Sequence, residues 1–364
     1  MEPLAPSSTT PLLSAVGGLT NLFAWPLRGS DYVSLVSPSR AGSTLSARIV
    51  SVRDEAPGAR TLTLRPSRAW RRQAWPRQAR PRAGQYVSVG VFVDGRRMVR
   101  TYSISSGPER TDGCIEITVK AIPGGRVSTH LVRRAAPGDL LSLGLPQGDF
   151  VLPERPGPTL FVTAGSGITP VMGMLRSLGG QARDVVHLHY APSPNDVIFG
   201  RELRTLAREE AGYRLELRYV EPDPGRPKKD EPFHAAQLEA VCPDWRNRET
   251  FACGPEPLLA SLRTHWDGAG LAERLHMERF GASFSPAAEG TKGGRVTFTE
   301  SRVETLTTGD VSLLEEAETA GLAPVHGCRI GICHTCTATL VSGCVRDLRT
   351  GLLTNEAGTR VQIC

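Results

Sequence analysis

Positive charge is missing from the start of the chain. The first 27 residues hold no Lys or Arg, so no basic segment precedes the apolar stretch, as a secretory signal requires. Long hydrophobic runs are missing as well. The uncharged stretch from Pro11 to Leu27 is broken by Ser14, Gly17, Gly18, Thr20, Asn21 and two prolines, and it falls short of the ~20 apolar residues of a spanning helix. Aromatics are scarce at 6%, and the net charge is only +6 over 364 residues, which excludes the basic, aromatic-interleaved surface of a nucleic-acid binder. At 40% hydrophobic and 22% charged, the disordered, collagen-like and multispan classes are excluded too. The expectation is a cytoplasmic globular protein of two or three domains of ~100–200 residues each. Without a secretory signal, cysteines that cluster read as metal ligands and not as a disulfide framework.

What is there changes rhythm along the chain. Residues 1–44 form a Ser/Pro-rich N-terminal extension. Over 45–152, SARIVSVRDE, ARTLTLRPS, GQYVSVGVFVDGRRMVRTYSIS and CIEITVKAI alternate apolar with polar residues and break at Gly, Pro or Asp-Gly, the pattern of an antiparallel barrel or sandwich. Over 153–282, TLFVTAG and DVVHLHYA are short continuous apolar strands, each followed by a helical stretch. That alternation means a parallel, doubly wound α/β domain. A Gly/Pro-rich linker covers 283–294, and a third unit, 295–364, carries a strand pair, a helix at VSLLEEAETAGL and a cysteine-rich loop. Residues 291–364 hold seven basic and eight acidic side chains, so the first 290 residues carry +7.

Cys328, Cys333 and Cys336 have the spacing C-x4-C-x2-C, and Cys364 follows after 27 residues. This is the plant-type [2Fe-2S] spacing, in which four thiolates hold two irons and backbone amides aimed at the sulfurs tune the potential. Gly327 and Gly331 free the loop to aim those amides. Zinc is the alternative, but its sites pair C-x2-4-C knuckles, and only Cys333 and Cys336 form such a pair. Cys344, on an apparent strand, reads as a buried spectator, and Cys114 and Cys242 as small buried hydrophobes.

Three segments suggest nucleotide chemistry. In RTYSISS, Arg100, Tyr102 and Ser103 put a cation, a ring and a hydroxyl at the end of a strand that continues the barrel pattern. In GGRVSTHL, Gly125, Val127 and Ser128 stand at an apparent helix start, where free amides hold phosphate; the two segments together suggest a flavin pyrophosphate site. TAGSGITPVMGML follows a buried strand and opens a helix, so its glycines let backbone approach a pyrophosphate, although the full G-x-G-x-x-G fingerprint is lacking. A tight strand-to-helix turn is the plain alternative. FACGPEPLL repeats the theme, with Cys253 near a nicotinamide and Gly254 and Pro255 shaping the turn.

The order RxYS, GGxxS, GxGxTP, CGP and a C-terminal C-x4-C-x2-C resembles the ferredoxin-NADP reductase superfamily, in the branch with a fused C-terminal plant-type [2Fe-2S] domain. The resemblance covers about residues 45–364. It implies an antiparallel β-barrel flavin domain, a doubly wound nicotinamide domain and an α+β, β-grasp ferredoxin domain. It places Arg100, Tyr102, Ser103, Lys120, Gly125, Val127 and Ser128 at the flavin. Gly165, Gly167, Thr169, Pro170, Cys253, Gly254 and Pro255 fall at the dinucleotide, Glu278 and Phe280 near the flavin ring, and Cys328, Cys333, Cys336 and Cys364 on the cluster. Tyr102, Ser103, Thr169, Cys253 and Glu278 are the expected catalytic set. Within the branch, HGCRIGICHTCTATLVSGCVRDLRTG is most similar to actinobacterial reductases that feed acyl-CoA (stearoyl-CoA) desaturases, and His334 stands where many such loops have Gly or Ala. The resemblance implies FAD over FMN, although reductases of the phthalate type use FMN in the same domain order.

The implied path runs from NAD(P)H through the flavin, which converts a two-electron donor to a one-electron acceptor, to the cluster and an external oxygenase or membrane desaturase. The reductase of a Rieske-type oxygenase is a second reading, and a redox-sensing iron–sulfur module a third. NADPH would want a basic residue just after the second α/β strand; YAPSPNDVIFGREL offers none before Arg201, Lys228 and Lys229 are remote, Ser193 could contact a phosphate, and Asp196 leaves NADH open. From Arg65 to Arg82 the chain holds seven Arg, two Trp and no acid. This reads as a solvated basic loop with its Trp tucked on the barrel, or as a docking surface for an acidic partner or for the anionic inner face of the plasma membrane as a peripheral contact. Plant-type domains normally continue beyond the fourth ligand, so an end at Cys364 is read either as a truncation or as a carboxylate beside the cluster.

Overall fold

Alternating apolar residues in a chain with tight turns close a sheet on itself. The computed structural model describes residues 45–75, 80–179, 184–220, 233–280, 293–307, 309, 311–326, 331, 336–348 and 351–364. The N-terminal extension, most of the linker, Lys228, Lys229, Cys328, Cys333 and His334 lie outside these residues. Strands β1 (Ser46–Ala56), β2 (Ala59–Pro66), β3 (Tyr86–Val93), β4 (Arg96–Ser103), β5 (Ile115–Lys120) and β6 (Leu140–Leu143) form an antiparallel sheet in the order β4-β3-β6-β1-β2-β5. A bridge between Ile104 and Ile117 joins its two edges, so the sheet is a barrel. Asp94 and Gly95 both take positive φ in the two-residue β3–β4 turn, the backbone that matches strand twist. The inward residues, among them Ile49, Leu62, Val89, Ile117 and Leu143, make one core.

Part of the basic insert is helical. Residues Arg68–Ala74 form helix α1, because the Ser67 hydroxyl accepts the Trp70 amide at 3.3 Å as N-cap and Ala69 and Trp70 give it a buried face. Trp70 is wholly buried and its Nε1 donates to the Gly144 carbonyl at 2.7 Å, while Trp75 packs edge-on at 5.8 Å. Arg65, Arg68, Arg72 and Arg82 remain exposed. A second helix, α2 (Arg126–Arg133), adds Val127 and Leu131 to the barrel core.

Beyond the barrel, β7 (Thr159–Ala164), β8 (Val185–Ala191), β9 (Tyr213–Tyr219), β10 (Glu249–Cys253) and β11 (Leu275–Glu278) form a parallel sheet ordered β11-β10-β7-β8-β9. Helices α3 (Ile168–Ser177), α4 (Gly200–Glu209), α5 (Ala235–Val241) and α6 (Glu256–Gly268) cover it. Val171, Met172, Phe199 and Leu203 pack one face, and Leu238, Trp245, Leu262 and Trp266 the other. Burial of both faces is why β7 and β8 read as continuous apolar runs. One polar chain runs through this core: Thr163 Oγ1 lies 2.8 Å from both His187 Nε2 and His189 Nδ1, and His187 Nδ1 lies 2.8 Å from the Tyr213 hydroxyl. Burial holds both imidazoles neutral, with His189 lowered to about 3.

Helix α3 binds the two units. A Cβ on Gly173 would lie 2.6 Å from the Ile104 carbonyl, so only glycine lets the helix meet the end of the barrel strand. Arg176 Nη1 donates to the Ser105 carbonyl at 2.7 Å and to Glu116 at 2.9 Å, and its other nitrogens hold Glu202 at 2.7 and 2.8 Å. Arg110 grips the second Glu116 oxygen at 2.6 Å. Glu116 is only 7% exposed. Replacing Arg176 with Leu should therefore lower the unfolding free energy by about 3 kcal/mol, the low end for removing one member of a buried pair, since Arg110 remains. Denaturant melts of the two proteins would read the difference, and an unchanged midpoint would exclude this role.

The C-terminal unit has a hairpin of β12 (Gly294–Phe298) and β13 (Val303–Thr307), and helix α7 (Leu313–Thr319) with a Ser312/Glu315 capping box. Strand β14 (Thr337–Thr339) pairs with β17 (Arg360–Gln362), and β15 (Val345–Arg346) with β16 (Leu353–Thr354). The strand through Cys344 stops early: Gly343 turns the chain at φ 94°, and Cys344 is exposed, not buried. Cys114 and Cys242 are buried as expected.

Candidate functional site

The RTYS segment closes β4, with Arg100 opposite Val89 and Tyr102 opposite Val87 on β3. Arg100 Nη1 donates to its neighbour's carbonyl, Val99 O, at 2.7 Å. Burial pushes the Tyr102 phenol well above its ordinary range, against the pull of Arg100. Ser103 is 3% exposed, and its hydroxyl has no hydrogen-bond partner. An orphaned buried hydroxyl at a strand end is where a ligand atom is wanted, so these residues fit a flavin. Lys120, half-buried, ends β5 opposite Ala59.

Gly125 precedes α2, and no side chain caps the helix. A Cβ there would fall 2.4 Å from Ser128 Oγ and 2.5 Å from Ile122 Cγ1. Ser128 is spent on the turn itself: its hydroxyl accepts the Ile122 amide and donates to the Gly125 carbonyl, both at 3.3 Å. Val127 is turned into the barrel core. What this turn offers outward is backbone, as a phosphate cradle requires.

The second glycine turn follows β7. Gly165 takes φ 53° with nothing near its Cβ position, whereas a Cβ on Gly167 would sit 2.0 Å from the Cys253 carbonyl oxygen. The β7 and β10 turns therefore touch through backbone alone, at the point where the strand order reverses, the usual ligand crevice of an open α/β sheet. Thr169 Oγ1 donates to the Ser166 carbonyl at 3.0 Å, and Thr169 and Pro170 are buried in the first turn of α3. Gly254 approaches Ala164, and Pro255 leads into α6.

Cys253 lies level with Thr163 on one side and Glu278 on the other. It is wholly buried, and burial, then the Glu278 charge, holds its thiol protonated. Burial pushes the Glu278 carboxyl up to about 8, and its Oε2 has no partner. Phe280 follows at 45% exposed. A raised carboxyl favours the protonated fold, so stability should fall as pH climbs from the unfolded carboxylate range, near ~4.3, towards about 8. Glu278→Gln should flatten that decline in thermal melts taken between those limits; a parallel decline in both proteins would exclude Glu278 as its source.

The structure brings the two groups together through α3, whose start forms the glycine turn and whose end rests on Ser105. Composition and motif spacing did not point to the Arg176, Glu116 and Arg110 cluster; the one available signal was a lone Arg in the otherwise apolar PVMGMLRSL.

In the C-terminal unit, the Cys336 and Cys364 sulfurs lie 2.8 Å apart and the Gly331 amide donates to Cys364 at 3.1 Å. Two cysteine sulfurs converging under an inward-aimed amide fit a cluster. The other two expected ligands fall outside the described residues.

Three family descriptions match in order: "Oxidoreductase FAD-binding domain" over residues 77–152, "Oxidoreductase NAD-binding domain" over 161–264 and "2Fe-2S iron-sulfur cluster binding domain" over 296–362. An NADPH oxidoreductase of Mycobacterium tuberculosis is 43% identical, covering 93% of this chain and 86% of its own. The stachydrine N-demethylase reductase subunit of Rhizobium meliloti is 31% identical over 75% of this chain and 81% of its own. Among solved structures, phthalate dioxygenase reductase superposes with a TM-score of 0.60 at 24% identity, over 90% of this chain and 95% of that one, a likeness of fold.

Proposed function

This chain belongs to the ferredoxin-NADP reductase superfamily, in the branch with a C-terminal [2Fe-2S] domain, and from that membership we propose that it carries electrons from NADPH to a diiron acyl-CoA desaturase or hydroxylase. It is an oxidoreductase that uses FAD, a [2Fe-2S] cluster and NAD(P)H. When bound, FAD converts a hydride into the single electrons a cluster accepts.

The observation that carries the reading is the unpartnered Ser103 hydroxyl on a strand end tied by α3 to the Gly165 and Gly167 turn. On this reading Ser103 donates to the flavin, Tyr102 lends a ring face, and Arg100 and Lys120 balance phosphate charge. Gly125, with the backbone of Val127 and Ser128, cradles the pyrophosphate. Gly165, Gly167, Thr169 and Pro170 shape the dinucleotide turn, and Cys253, Gly254, Pro255 and Phe280 bound the nicotinamide. Glu278 holds a proton at the carboxylate oxygen left without a partner. Cys328, Cys333, Cys336 and Cys364 hold the cluster. The corresponding units are 45–152, 153–282 and 295–364.

The resemblance of the cysteine loop to desaturase reductases supports the acceptor. The experiment is reconstitution of the full, cofactor-loaded chain with a purified diiron acyl-CoA desaturase and NADPH: double-bond formation that requires the chain supports it, and none despite rapid ferricyanide reduction refutes it. The second reading, the reductase of a Rieske-type oxygenase, is favoured by relatives named as monooxygenase and demethylase reductase subunits at 31–32% identity. The exposed arginines around α1 support docking on an anionic membrane, at ~1 kcal/mol per basic group. That role is excluded if charge-neutral replacements at Arg65, Arg68, Arg72 and Arg82 leave vesicle binding intact at low salt.

A further inference from the structure

A dinucleotide lying across the C-terminal edge of an open α/β sheet places its adenosine ribose beside the second strand, here β8, and the group meeting the 2′ position separates NADPH from NADH. The turn after β8 supplies no cation. It supplies Ser193, whose hydroxyl donates to Asp196 Oδ2 at 2.7 Å, so the one acid in the turn is already engaged by its neighbour.

The cation comes from the next strand. Arg218 on β9 stands directly beside Tyr190 on β8, one residue short of the strand end, and adjacent residues of a parallel pair share a face. Tyr190 is 3% exposed, and its hydroxyl has no hydrogen-bond partner. Arg218 is 38% exposed; its Nη2 meets Glu216 Oε1 at 3.0 Å, while its Nε is shielded from solvent and unpartnered. A phenol and a guanidinium edge, both left unmatched at this position, call for an acceptor with several oxygens and negative charge. A ribose hydroxyl brings no charge to match the guanidinium; a phosphate monoester offers an oxygen to each donor and the opposite charge as well.

We propose that Arg218, assisted by the Tyr190 hydroxyl, receives the 2′-phosphate and makes this chain select NADPH over NADH. The assignment rests on the nicotinamide reading of the same sheet edge. Glu216 opposes the phosphate charge, but it engages Nη2 and leaves Nε unmatched.

The test is the ratio of kcat/KM for NADPH and NADH with ferricyanide, on the full FAD- and cluster-loaded chain, with binding of 2′,5′-ADP and 5′-AMP followed separately by calorimetry. In Arg218→Gln the KM for NADPH should rise about 10- to 100-fold, the span of a lost charge-assisted hydrogen bond, with far less change for NADH. The preference for 2′,5′-ADP over 5′-AMP should disappear, and Arg218→Lys should recover part of it. Tyr190→Phe keeps the ring in its packing and should weaken 2′,5′-ADP alone, which keeps the proposal testable if the arginine variants fold poorly. An unchanged ratio, a parallel rise in both KM values or a wild-type preference for NADH overturns the assignment and leaves the reductase reading standing. A loaded chain that oxidises neither nucleotide overturns both.

Discussion

Gly167→Ala is expected to lower kcat/KM with NADPH by about 100-fold or more, the scale on which a 1 Å displacement of positioning groups acts. The added Cβ would lie 2.0 Å from the Cys253 carbonyl oxygen, 2.4 Å from its carbon and 2.8 Å from the Gly254 nitrogen. All three are backbone atoms, so no side chain can rotate away. The β7 and β10 turns must separate, and overpacking of this kind costs about 1–3 kcal/mol in stability as well. Gly165→Ala is the informative contrast: nothing lies within 4 Å of its Cβ position, but φ is 53°, which disfavours a side chain by about 1–2 kcal/mol. Thermal melts with single-turnover nicotinamide oxidation would separate the two variants. A Gly167→Ala protein with wild-type kinetics would show that the contact between the turns does not position the dinucleotide.

Much of this was legible in the sequence, and the reason differs by element. The barrel and the parallel sheet were readable because their periodicities are opposite, alternating in ARTLTLRP and continuous in TLFVTA. The glycine turns were readable because only glycine tolerates the approach that Gly167 and Gly125 make. Less legible were the features set by partners distant in sequence. Helix α1 was masked by its arginines, since its stability comes from the Ser67 cap and from Trp70 reaching Gly144. Arg176 could not be matched to Glu116, 60 residues away on another domain. Arg218 is not legible from the turn after β8 because register across strands, not sequence distance, brings it to Tyr190. The apolar pattern around Cys344 suggests a buried strand, but β14 ends at Thr339, well before it, and Cys344 is exposed.

Cys364→Ala should abolish cluster assembly, with iron and acid-labile sulfide lost together while flavin content is retained. The expectation rests on how the segment is held. The Ile363 amide donates to the Cys336 carbonyl at 3.0 Å and its carbonyl accepts the Leu314 amide at 2.6 Å, so the residue before Cys364 is clamped to the cysteine loop on one side and to α7 on the other. The clamp sets the Cys364 sulfur 2.8 Å from Cys336 and under the Gly331 amide, and no other described cysteine shares that position, because Cys344 lies exposed beyond a turn. Cytochrome c reduction by NADPH should collapse in Cys364→Ala while ferricyanide, which accepts electrons from flavin directly, is still reduced. Cys344→Ala should keep both activities and full iron. Full iron and sulfide in Cys364→Ala would remove Cys364 from the ligand set, and zinc in place of iron in the wild-type protein would replace the electron-transfer role of this unit with a structural one.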